Sequence, residues 1–253
     1  MSLTITDKGG SADFPKLEKG IYEGTLYSIV DLGTRLEAFG NDEPKPKHQV
    51  TLAFEITAAV RPENNQTLME DGRPFAVSKK YTLSLHEKAA LRLDVESWRG
   101  MSLSDEELRG FDLVGLLGMT AKIEVGHTNP MPDGTGGGNP KIIALREPAG
   151  GSQKVPTKNE QKAFDLEIYC EEFNGNSSPK TKAMCDVFDS LPEWQQKQIQ
   201  ESFEYLAASD DDAAPNTRAA NNEDLGRLSE TAVAAQEIET PQRKKFEDDE
   251  IPF

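Results

Sequence analysis

Cysteine is nearly missing from this 253-residue chain: Cys170 and Cys185 are separated by 14 residues and neither belongs to a CxxC pair. That spacing indicates neither a disulfide framework nor a cysteine zinc site, and both thiols are expected to be reduced and structural. Histidine is scarce too, with His48, His86 and His127 on separate segments and without metal-ligand spacing. No G-x-x-x-x-G-K-[ST] run occurs, and the Gly134–Gly138 stretch has neither a following lysine nor a helix start. With no nucleophile–base constellation legible, the expectation is a protein that is not an enzyme and uses neither cofactor nor metal. Long apolar runs are lacking: nothing approaches the roughly 18–20 residues of a membrane span. The N-terminus MSLTITDKGG has no basic-then-apolar signal pattern. A cytoplasmic location away from membranes is expected.

Positive charge is in short supply as well, 28 Lys+Arg against 44 Asp+Glu for a net −16. Taken whole, that argues against a polyanionic partner, because binding to phosphates is driven by Lys and Arg displacing counterions. The distribution changes the conclusion. Residues 1–150 hold 17 Lys+Arg against 22 Asp+Glu, whereas residues 151–253 hold 11 against 22. The first part is close to balanced and permits a local basic groove. A hydrophobic share of 36% is low for a wholly compact chain and predicts a folded body with a solvated tail.

What is present begins with strands. GIYEGTLYSIVD at 20–31 is rich in β-branched and aromatic residues and stops at Asp31-Leu32-Gly33. The Gly- and Pro-containing stretch to about Lys47 reads as a long loop. Val50, Leu52, Phe54 and Ile56 then alternate with polar residues as strand two. Phe75 to Leu85 reads as strand three, with Lys79 dissonant on the apolar parity; a β-bulge near Ser78–Lys80 would turn it outward. A capping box of Ser84 with Glu87 predicts a helix carrying Leu91, Val95 and Trp98 and ending at Gly100. Ser104 with Glu107 opens a second short helix, and Asp112–Gly118 reads as another. Met119–His127 supplies strand four and Lys141–Glu147 strand five.

The order β-β-β-α-β-β is that of an OB-fold, a five-stranded, partly open barrel with a helix between strands three and four, and other five-stranded barrels give a similar string. The fold expected is therefore mainly β, an OB-fold body over 1–148, followed by a linker at 149–163. A small α-rich appendage at 164–208 follows, with an extended piece at Ala163–Phe173 and helices at Thr181–Leu191 and Pro192–Ala208. Ala-, Asn-, Asp- and Glu-rich residues 209–245 bury too little to offset ordering entropy and are expected to be a disordered acidic tail.

The last eight residues, 246–253, pair acid with an apolar end: Asp248, Asp249, Glu250, then Ile251, Pro252 and Phe253. Pro252 lowers the ordering cost, and Phe253 offers an aromatic anchor with the terminal carboxylate, which suits a docking peptide. This tip resembles that of the bacterial single-stranded DNA-binding protein family, which ends in a run of Asp followed by Ile-Pro-Phe; here Glu250 replaces an aspartate. DLGT at 31–34, RPFAVSKKYTLSLHEKAALRLDVESWRG at 73–100 and EELRGFDLVGLLG at 106–118 resemble a set of phage proteins thought to bind single-stranded DNA. The resemblance implies single-stranded DNA binding without strong sequence preference in replication, recombination or repair, in a bacterial or infected-host cytoplasm. It also implies recruitment of replication or recombination proteins by the tip.

Single-strand binders pair a cationic groove with aromatic platforms. On that chemistry the candidate DNA contacts are Arg35, Phe39, Lys45, Lys47 and His48 in the first long loop, Lys79, Lys80 and Tyr81 on strand three, and Lys122 and Lys141 flanking the last loop. The competing reading is an adaptor whose OB-like body binds protein and not DNA, and whose tip engages host replication or repair proteins; the net charge suits it.

Overall fold

The computed structural model describes residues 16–38, 43–60, 67–69, 71–129 and 138–209. They belong to one compact unit. The tail beyond Ser209, the tip residues 246–253 and Phe39 lie outside the described residues.

The β-rich start forms strand β1, Gly20–Glu37, and the alternating segment forms β2, Lys45–Ala59. The two pair antiparallel from Tyr22↔Ala59 to Glu37↔Lys45, so most of the expected first loop is a paired arm instead. Its Gly and Pro misled the loop reading for identifiable reasons. Gly33, at φ 71°, sits where the register shifts between Asp31 and Gly33, a bulge that glycine accommodates. Pro46 lies beyond the part of β2 that is paired on its other edge, where a proline is tolerated.

Strand β3, Ala76–Thr82, pairs with β2 from Gln49↔Thr82 to Glu55↔Ala76 without a register shift, so the expected bulge is absent. Lys79 stays on the side of buried Val77 and Tyr81 because it has a partner there: its Nζ reaches Asp94 Oδ2 at 2.6 Å.

Asp94 belongs to α1, Ala90–Arg99, which buries Leu91, Val95 and Trp98 and ends at Gly100 as expected. The Ser84–Glu87 capping box does not form. Ser84 Oγ accepts the His86 N–H at 3.2 Å in a local turn, and the helix starts later, from Ala89, without a side-chain cap. By contrast, the Ser104–Glu107 box caps α2, Asp105–Arg109. Residues 112–118 yield only a 3-10 turn, Val114–Leu116, because Gly115 and Gly118 leave too few helix formers to propagate.

Strands β4, Thr120–His127, and β5, Pro140–Arg146, complete a sheet ordered β3-β2-β1-β4-β5. No ladder joins β3 to β5 among the described residues, so the sheet is open and not a closed barrel. Helix α1 contacts both edge strands: the Tyr81 hydroxyl donates to Asp94 at 2.8 Å, and the Ser97 hydroxyl donates to the Leu145 carbonyl at 2.8 Å. Trp98 packs edge-on to Phe54 at 5.3 Å and donates Nε1–H to the Thr120 carbonyl at 2.6 Å.

Residues 149–163 are not a free linker. Thr120 N–H donates to the Gln153 carbonyl and Val155 N–H to the Gly118 carbonyl, and β6, Lys162–Phe164, adds to β1 in parallel opposite Ser28–Val30. The expected extended piece at 163–173 is extended only in β6. Asp165 then caps α3, Leu166–Phe173, by accepting the Ile168 N–H at 3.1 Å. Helix α4 is Pro179–Asp189, begun by a Ser178–Thr181 capping box. The single helix expected from Pro192 to Ala208 is two, α5 Glu193–Gln200 and α6 Phe203–Ser209. The break falls at buried Ser202, whose hydroxyl donates to the Ile199 carbonyl at 2.6 Å and competes with helix continuation.

Two cores result. One lies between the sheet and α1, around Phe54, Ile123 and Trp98. The other joins Val30 and Leu32 of β1 to Phe164, Leu166, Tyr169, Phe188 and Ile199 of the helical module. Among the described residues no helix is long and apolar enough to cross a membrane.

Candidate functional site

The paired arm, and not a loop, places the first group of candidate cations. Arg35 lies opposite Lys47, and Glu37 opposite exposed Lys45. Glu37 gathers its neighbours: Lys80 Nζ reaches its Oε1 at 3.0 Å and Arg35 Nη2 at 3.9 Å. Burial opposes the charge of Glu37, but the hydrogen bond and charge of Lys80, a hydrogen bond from Gln49 and the charge of Lys47 hold its carboxyl below the usual range. Arg35, Lys47 and Lys80 are thus brought together around one carboxylate, and Arg35 also donates to Glu201 at 3.1 Å.

The other candidates go elsewhere. His48 Nε2 lies 2.6 Å from Asp31 and its Nδ1 3.8 Å from Glu204. Tyr81, 3% exposed, is in the first core and shares Asp94 with Lys79. Lys122 stands on β4, which pairs with the Gly20–Thr25 part of β1, and Lys141 on β5, on the far side of β4. They are not part of the Glu37 group.

The structure adds a cleft that sequence reasoning missed. Register partners run across four strands, Ser78↔Ala53, Ala53↔Ser28 and Ser28↔Lys162, and give a floor of small side chains with a lysine at one end. The floor opens into a cavity of about 370 Å³ between the sheet and the helical module, lined also by Tyr27, Asn159, Trp194 and Gln195. Burial, reinforced by the charge of Glu55, raises the Tyr27 phenol above its ordinary range.

Both walls are fastened. Glu55, only 3% exposed, accepts Lys158 N–H at 2.9 Å and, at 2.7 Å, both Asn159 N–H and Asn159 Nδ2–H. On the other side Lys162 Nζ donates to the Ser190 carbonyl at 3.1 Å and its hydroxyl at 3.0 Å, and burial lowers the pKa of that ammonium. Gln196 Nε2 donates to the Phe188 and Leu191 carbonyls at 3.0 and 3.1 Å and fixes the turn that presents Trp194.

One pleat along the same strands, the next row is Val30, Thr51 and Lys80. The cleft therefore adjoins the cation group through Lys80. A signal for Trp194 did exist: it lies five residues before buried Ile199, about 140° around a helix and off its buried stripe. Ser28, Ala53, Ser78 and Lys162 gave none, since nothing in their own segments sets them in one row.

Comparison with known proteins leaves this geometry to stand alone: no family model, no curated protein and no solved structure matches the chain.

Proposed function

We propose that this chain is a single-stranded DNA-binding protein of phage or bacterial replication, recombination or repair. Its body is of OB type, and its Asp248–Phe253 tip recruits partner proteins. The strand order β3-β2-β1-β4-β5 with α1 inserted after β3 supports the OB reading, since that is the partly open Greek-key arrangement with its closing edge unpaired. The observation that carries the functional reading is the surface on which Arg35, Lys47 and Lys80 gather beside a cleft carrying a tryptophan 48% exposed. Cations that follow the backbone beside an aromatic platform are what sequence-tolerant binding of unpaired strands requires.

Anisotropy of a labelled oligo-dT tests it. If those three cations each meet a phosphate, the logarithm of the binding constant falls with the logarithm of salt at a slope of roughly −2. A chain that ignores oligo-dT in dilute buffer refutes the reading.

The adaptor reading has one observation in its favour: Lys79, Lys80, Arg35 and His48 already face carboxylates within the chain. It predicts no salt-dependent binding to oligo-dT, with tip-dependent capture of partner proteins intact.

A further inference from the structure

Three features of the cleft between the sheet and α5 point to one kind of ligand. Trp194 keeps its indole half in solvent although α5 buries Ile199 completely. The floor beside it is Ser28, Ala53 and Ser78, where strands ordinarily carry β-branched or aromatic residues, so the cleft that Trp194 lines is left open. Gln195 lines the same cavity at 6% exposure and brings a carboxamide, both donor and acceptor, to that side of the cleft. A carboxamide so placed can pair with a ligand that has donors and acceptors of its own.

The ligand that answers all three is flat, aromatic and polar at its edge. At about 370 Å³ the cavity is at the small end of the roughly 300–1,000 Å³ range of small-ligand clefts. Its walls, held by Glu55 and by Lys162, need no ordering on binding.

We propose that the cleft seats one unpaired nucleobase of a bound strand, stacked on Trp194 with its polar edge on Gln195, which makes the helical module part of the DNA-binding surface. The assignment rests on the single-stranded DNA reading. Bases in a duplex are stacked within it and cannot enter without being extruded, so the seat favours unpaired strands.

The full-length chain tests this with oligo-dT. Its two tryptophans differ sharply, Trp98 at 1% exposure and Trp194 at 48%, so quenching of tryptophan fluorescence on binding reports the seat. Trp194→Ala is expected to weaken oligo-dT binding roughly 5- to 150-fold, the range of lost base–aromatic stacking. Trp194→Phe should restore much of that loss. Ser78→Leu fills the floor from β3 without touching the indole and should weaken binding as well; it decides the matter if Trp194→Ala melts early. Binding by Trp194→Ala and Ser78→Leu at wild-type strength, or wild-type binding without quenching, overturns the seat and leaves DNA binding standing. Failure of the wild-type chain to bind oligo-dT removes both.

Discussion

Asp94 holds two of the side chains named as candidate DNA contacts. It receives the Lys79 ammonium at 2.6 Å and the Tyr81 hydroxyl at 2.8 Å, and so draws inward two residues that chemistry alone assigned to DNA. Asp94→Ala leaves both donors without that acceptor beside the core and is expected to cost about 1.5–3 kcal/mol in urea denaturation. A change within about 0.5 kcal/mol would mean that solvent replaces Asp94 freely.

His48 makes a second residue-level prediction. Its hydrogen bond to Asp31 raises its pKa, burial opposes the rise, and the charges of Asp31, Glu204 and Asp165 add to it. A raised folded pKa means that the imidazolium stabilises the fold fully below the unfolded value, near 6.5, and that this contribution is lost as pH rises through the folded value. Melting temperatures of wild type and His48→Gln, compared across that window, should be furthest apart on the acid side and converge on the alkaline side. A gap that widens with pH would contradict the assignment.

At the scale of elements, legibility followed the range of the interactions that decide each one. Helix α1 was readable because Leu91, Val95 and Trp98 repeat within it, and Gly100 closes it with a left-handed φ of 69°. The start of α1 was not, because Ser84 had a nearer donor in His86. The β1–β2 arm was hidden by glycine and proline that serve a bulge and an unpaired edge. Helix α3 was missed although Asp165 is an ordinary N-cap residue, since the short strand before it set the reading for the whole segment.

Gly33 ties these elements together. Besides its φ of 71°, a Cβ there would lie 2.6 Å from Ser202 Cβ, so the helical module rests directly on the bulge. Gly33→Ala is expected to destabilise the fold by about 1–3 kcal/mol through backbone strain and that clash. The measurement is the denaturation midpoint; an unchanged midpoint would show that the module shifts without cost.

Across the whole molecule, charge and fold divide the sequence differently. Residues 210–253 carry 12 Asp+Glu against 5 Lys+Arg, and they end in the proposed docking tip. If the proposed DNA reading holds, an acidic segment joined covalently to a cationic surface competes with DNA for it at an appreciable effective concentration. A chain ending at Ser209 should bind oligo-dT more tightly than the full chain at low salt, with the difference fading as salt screens it. Equal affinity at low salt would exclude that competition.

Strand β1 gives side chains to both apolar interiors, Tyr22 and Leu26 to one, Val30 and Leu32 to the other. Neither interior can come apart and leave that backbone in place for its neighbour. Heating should therefore melt sheet and helices together, with near-ultraviolet dichroism, far-ultraviolet dichroism and indole emission tracing a single superimposable curve.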